Sequence, residues 1–331
     1  MRINSSIRLL LLAAFCLAGA SAAAGDEDRY LAVLVDGQRL AGDELSGWGE
    51  APGSPRLGEV ALGDPRRPLR WLLDRTLGVW NASASTDGYV EFVGGDRLTG
   101  QVTGTERGDP DSIDSAALLL RVRPAYNPDL PKDIKRDVVR VLEAAVRRIV
   151  WIAQPHRTFQ PSTIFLRDGR RLKFMSIRWQ ADGVKVLIAG GVRHIPVSEL
   201  AQLHMPRRDP WQAYYRELAI LDPAGGEALF RIETTDGLIL TCSSRRFIAR
   251  MGSGHKSRKS RKPSKKRPPG GWPEQWRHLA QPAWSTDPIW MPFDTIRMRT
   301  YFLPHELPLT RLLPDRVAQK SMTGCQGRWR G

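Results

Sequence analysis

One short phrase is written four times along this chain. An apolar or β-branched run meets Asp-Gly or Gly-Gly, and Leu follows a few residues later. It occurs as AVLVDGQRLAG from Ala32, VEFVGGDRLTG from Val90, TIFLRDGRRLKF from Thr163 and RIETTDGLILT from Arg231. The turn pairs are Asp36-Gly37, Gly94-Gly95, Asp168-Gly169 and Asp236-Gly237. Such pairs tolerate the positive φ that tight hairpin turns require. The runs before them, such as residues 89–93 and 163–166, are rich in strand-forming side chains. Each phrase predicts a strand, a tight turn and a second strand. One Asp-Gly turn says little, because any β protein holds several. Four of them, with Leu40, Leu98, Leu172, and Leu238 with Leu240 similarly placed, predict a repeat.

A second similarity bounds the unit. DVVRVLEAAVRRIVW (137–151) matches GVRHIPVSELAQLHM (191–205) at one constant offset. It pairs Val141 with Ile195, Val146 with Leu200 and Ile149 with Leu203. Alone, residues 134–150 fit the period of an amphipathic helix. The partner holds Pro196, which a helix interior tolerates poorly. The pair therefore predicts a strand, a short helical turn and another strand in both places. The expected fold class is mainly β: tandem small β units, barrel-like or curved sheets built on Asp-Gly hairpins, with short helical segments and a disordered basic linker. The units span about residues 30–80, 85–152, 160–206 and 228–250, so that 30–152 holds two, and 160–250 holds a third and a partial fourth. Between the last two, DPWQAYYRELAILDPAGG predicts one amphipathic helix that starts at Asp-Pro and stops at Pro223.

Residues 252–271, GSGHKSRKSRKPSKKRPPGG, carry no apolar side chain that could enter a core, and they predict a disordered linker. Lys256, Arg258, Lys259, Arg261, Lys262, Lys265, Lys266 and Arg267 lie here, and without these eight the formal charge of +15 falls to +7. The run is either a contact for a polyanion or a solvated, self-repelling spacer. It lacks interleaved aromatic residues, so a base-stacking platform is not indicated.

Residues 1–24 predict a cleaved export signal. Arg2 and Arg8 flank its start, Leu9 to Ala20 form an apolar run, and Ala-x-Ala sites close it. That run is shorter than the roughly 20 residues that span a bilayer, and no later stretch reaches that length. The expectation is a periplasmic, cell-surface or secreted chain with no transmembrane segment once mature. Nucleic acid is then an unlikely partner, and an envelope polysaccharide or protein the better one. Export leaves Cys242 and Cys325, which either pair or remain free thiols.

The six His form no HxxxH or HExxH pattern, and there is no CxxC or GxSxG. No metal, cofactor or catalytic residue is predicted. A glycan hydrolase using turn carboxylates such as Asp168, Asp182 and Asp236 stays open, although turn chemistry already accounts for those residues. Residues 272–331 hold five Trp, of which Trp276, Trp284 and Trp290 are candidates either for core packing or for exposed rings that dock a sugar or a partner.

The stretch WSTDPIWMPFDTIRMRTYFLPHELPLTRLLP, with the Asp-Gly units before it and AVRRIVW in the second, resembles a family of exported planctomycete-type bacterial proteins of unknown function. Relatives of that family often lead into an NPCBM/NEW2 domain, a putative carbohydrate-binding β-sandwich. Here LPDRVAQKSMTG runs into CQGRWRG instead, so the resemblance implies envelope and glycan surroundings but transfers no sugar-binding residue.

Overall fold

The computed structural model describes residues 28–47, 55–64, 66–81, 88–108, 118–125, 138–152, 158–222, 226, 228–243, 247–251 and 276–302. The repeated phrase sets its backbone. Gly37, Gly95, Gly169 and Gly237 all sit at φ between 84° and 88°, the left-handed region that a hairpin turn needs and a Cβ resists. Asp36 and Asp168 complete their turns by accepting the amides of Gln38 and Arg170 at 2.9 Å.

Every strand pair is antiparallel, and four units share one order of elements. The first holds β1 (Tyr30–Leu34), β2 (Arg39–Gly42), β3 (Leu45–Ser46), β4 (Arg56–Leu57), β5 (Val60–Ala61) and β6 (Leu69–Asp74). The second holds β7 (Tyr89–Phe92), β8 (Arg97–Arg107), β9 (Leu118–Pro124), β10 (Val139–Leu142) and β11 (Val146–Val150). The third holds β12 (Thr163–Leu166), β13 (Arg171–Lys173), β14 (Ser176–Trp179), β15 (Gly183–Ile188), β16 (Gly191–Pro196) and β17 (Leu200–His204). Helix α1 (Pro210–Leu221) follows. The fourth holds β18 (Leu229–Thr234), β19 (Ile239–Ser243), β20 (Phe247–Met251), β21 (Trp276–Ala280), β22 (Ile289–Pro292) and β23 (Ile296–Phe302).

In each unit the opening strand pairs with both the second strand and the closing strand. A three-stranded meander lies between: β3-β4-β5, β8-β9-β10, β14-β15-β16 or β20-β21-β22. The long β8 serves both parts, pairing β7 up to Thr99 and β9 from Gly100 onward. Elsewhere a short break separates the two tasks. The units are curved sheets, and none closes into a barrel.

The fourth unit is complete. The sequence alone suggested a partial unit ending near residue 250, with a separate Trp-rich segment after the basic run. Instead, β21 to β23 continue the unit beyond that run, and β23 closes on β18. Among the described residues the predicted strand, turn, strand motif is present three times. Its 3-10 turns are Glu143–Ala145, Val197–Glu199 and Phe293–Thr295. Val141, Ile195 and Met291 precede these turns by two residues, and Val146, Leu200 and Ile296 follow them, all buried. Burying each such side chain is worth about 2 kcal/mol. Where the second and third units next place Ile149 and Leu203, the fourth places Arg299, also buried.

The units join in nested fashion. The main sheet runs β13-β12-β17-β11-β7-β8-β19-β18-β23-β6-β1-β2. Closing strands pair the third unit with the second (β17 with β11) and the fourth with the first (β23 with β6). The two pairs meet where β8 borders β19, with a single backbone partnership, Arg97 with Ile239. Side chains hold that seam.

Candidate functional site

The seam is built around a carboxylate. Asp96 follows the Gly94-Gly95 turn and is 1% exposed. It accepts the Thr241 amide at 2.7 Å, the Thr241 hydroxyl at 2.8 Å and the Trp284 indole N–H at 2.7 Å. The Trp284 ring stacks on Phe92, with centroids 3.9 Å apart and planes 13° from parallel. Beside it, Arg140 donates two guanidinium bonds and its amide to Asp287 at 2.7–2.9 Å. The segment 284–287 thus straps the fourth unit to the edge of β10, where the Leu142 amide also donates to the Trp284 carbonyl. Cys242, one residue after Thr241, is buried, and desolvation followed by the nearby Asp96 charge pushes its thiol well up.

Helix α1 lies against this seam. Asp209 caps it by accepting the Trp211 amide at 2.9 Å, and Pro210 supplies a preset first turn. Leu221 is buried beside Leu229 and Ala283, with Leu218 and Ile220 packed around them. A cleft runs between the helix and the strap, lined by Ala144, Ala145, Ala213 and Ala283, with Phe92 and Trp284 contributing and Arg216 at its side. The amphipathic helix read from the sequence carries Trp211, Tyr214, Tyr215, Leu218 and Leu221. In the structure Trp211 and Tyr215 lie outside the contact with Leu229 and Ala283, 43% and 62% exposed. One helical turn apart, their rings stack at 6.3 Å and 28°, with Tyr214 tilted 5.8 Å from Tyr215. Exposed, paired aromatic rings on a capped helix form a candidate recognition platform. The signal available in the sequence was the i, i+4 spacing of two large rings on a helix too short to bury both.

The residues singled out by sequence fare differently. Trp284 and Trp290 are buried, 4% and 8% exposed. Trp276 opens β21, but its side chain lies outside the described residues. So do all eight basic residues, Lys256, Arg258, Lys259, Arg261, Lys262, Lys265, Lys266 and Arg267, as well as residues 1–24 and Cys325. His204 is buried in β17 and accepts the Gln160 amide at 3.0 Å through Nδ1, while His194 lies 3.1 Å from Asp182. Among the described residues no three His, Cys, Asp or Glu side chains are grouped to hold a metal, and no helix is long and apolar enough to cross a membrane.

The turn carboxylates do local work. The Asp168 carboxyl is drawn below its usual range by the Arg170 guanidinium and amide, and Asp36 by the Gln38 amide and Arg67. A glycosidase acid needs a shift in the opposite direction. Asp236 is held by the Thr234 hydroxyl.

No family model, curated protein or solved structure matches this chain. Fold and surface together define a tandem β-repeat protein with an exposed aromatic platform.

Proposed function

We propose that this chain is a non-catalytic, exported binding scaffold of the cell envelope, and that it recognises a glycan or another envelope component through α1. The observation that carries this reading is the exposed Trp211–Tyr215 pair on a helix whose other side is anchored in the core. Fixed rings lose little entropy on binding, and each offers a face to the C–H groups of a sugar or to an apolar partner. The packing of the helix against residues of the second and fourth units supports it by fixing the platform's base. The apparent export signal and the planctomycete-type resemblance set the expected surroundings.

A glycan array probed with the chain and with a Trp211→Ala/Tyr215→Ala variant tests the proposal. Aromatic anchors in recognition sites are worth about 2 kcal/mol or more, which is roughly thirtyfold in affinity. Saturable binding to an envelope glycan that falls by that factor supports the reading. Binding that the variant retains in full refutes α1 as the platform.

A further inference from the structure

Outside α1, the large apolar side chains that stand exposed among the described residues are Val60, Val79, Met175, Leu187 and Val192. The last three meet at one point, the end of the third unit's meander where β15 turns into β16. Leu187 and Val192 are direct partners across these strands, 37% and 62% exposed. Met175, 66% exposed, leads into β14 and donates its amide to the Leu187 carbonyl at 2.7 Å. Past them the chain turns at Ala189 and Gly190, both exposed.

The repeat shows that the fold does not require this patch. Leu120, Val184 and His278 are the partners of Val141, Ile195 and Met291. Three residues further along the same middle strands stand Arg123, Leu187 and Gln281. The second and fourth units are polar where the third is apolar.

Cations stand behind the patch. Two residues back, on the same face, Arg178 lies opposite Lys185, and Lys185 opposite His194. At about 3.4 Å per residue, that row is about 7 Å from the Leu187 row. Like charges directly opposite each other destabilise a sheet. The second unit avoids this cost: Arg121, the counterpart of Lys185, faces Gly104 and has Glu106 at 3.9 Å. In the third unit Arg178 and Lys185 are both exposed and make no ion pair among the described residues. The acidic groups of this meander belong to its other end. Asp182, in the β14–β15 turn, holds His194 at 3.1 Å, and Glu199, after β16, lies 4.0 Å from Arg193.

Along the strands the order is apolar, cationic, acidic. We infer that this tip is a docking surface for an anionic phospholipid bilayer, which presents the matching order of layers: acyl chains, phosphates, water. Met175, Leu187 and Val192 enter the acyl boundary, while Arg178 and Lys185 meet phosphates about 7 Å above it. Interfacial elements bury to about 5–10 Å, which this spacing matches. A second copy of the chain is a poor occupant, because it would bring two cationic rows together.

Co-sedimentation of the full chain with vesicles tests the proposal, comparing mixed phosphatidylglycerol–phosphatidylcholine vesicles with phosphatidylcholine alone. The basic run of residues 256–267 also attracts anions, so each measurement is repeated with its eight Lys and Arg changed to Gln. Binding to the anionic vesicles should persist without the run's charge. It should weaken about thirtyfold in Arg178→Gln/Lys185→Gln, and about tenfold in Leu187→Thr/Val192→Thr. All four side chains are exposed, so both variants should keep the parent's urea midpoint. Binding that vanishes with the run's cations overturns the proposal, as does binding that either tip variant retains in full. Equal binding to phosphatidylcholine alone contradicts the role of the cationic row. Tip variants that keep the vesicles but lose an acidic polysaccharide would assign the surface to that polymer instead.

Discussion

Replacing Asp96 with Ala should be among the most damaging single changes in this protein. The carboxylate accepts three donors, and the seam it holds has only one backbone partnership. Removing it leaves the Thr241 amide, the Thr241 hydroxyl and the Trp284 indole N–H buried without their acceptor. Each orphaned donor costs about 1–3 kcal/mol. Relaxation recovers part of that, which puts the loss near 4 kcal/mol, in the range found when buried charged groups lose a partner. For a chain of this size the thermal midpoint should fall by about 10 °C. Urea unfolding of Asp96→Ala measures the loss. Near-UV circular dichroism reports whether Trp284 still stacks on Phe92. Asp96→Asn keeps the shape and one acceptor oxygen, and it should lose about half as much, which preserves the test if the Ala variant does not fold. A loss below about 1 kcal/mol with an unchanged aromatic spectrum would refute the claim that this carboxylate holds the seam.

Burial, with the neighbouring Arg299 charge adding to it, pushes His278 down from 6.5 to about 2. The unfolded chain therefore takes up a proton that the folded chain refuses. Stability contributed by the neutral imidazole is present above pH 6.5 and is lost as the pH falls towards 2, by about 1.4 kcal/mol per pH unit. Urea titrations of His278→Gln across this range should show a shallower slope, and an identical slope would contradict the assignment. Two turn glycines make a matched pair. A Cβ at Gly169 meets nothing within 4 Å, whereas one at Gly237 overlaps the Trp80 indole. Gly169→Ala should cost about 1 kcal/mol from the positive φ alone, and Gly237→Ala about 1–3 kcal/mol more from overpacking. Equal midpoints for the two variants would show that Trp80 yields freely.

The chain's local rules were legible to a considerable depth. Asp-Gly and Gly-Gly named all four turns, and Pro196 argued correctly that residues 137–151 are strand, turn and strand rather than helix. The third copy of that motif went unread because Phe293 and Arg299 stand where the others carry Glu143 or Val197, and Ile149 or Leu203. Arg299 in particular breaks the apolar pattern, yet it is buried with its pKa lowered to about 10 by desolvation. The recognition platform was half legible: the helix and its cap were visible, but not which of its rings would find a neighbour.

What the sequence determined by itself is short-range: where φ must be positive, where strands alternate, where a helix begins. Those are properties of a few adjacent residues, and turn chemistry and side-chain period express them directly. What only the tertiary structure decided is which strands close which unit, and in what order the units stand. Strand pairing across a seam depends on surfaces brought together from distant positions, such as Asp96 with Thr241 and Trp284, or Arg140 with Asp287. No local period encodes that meeting.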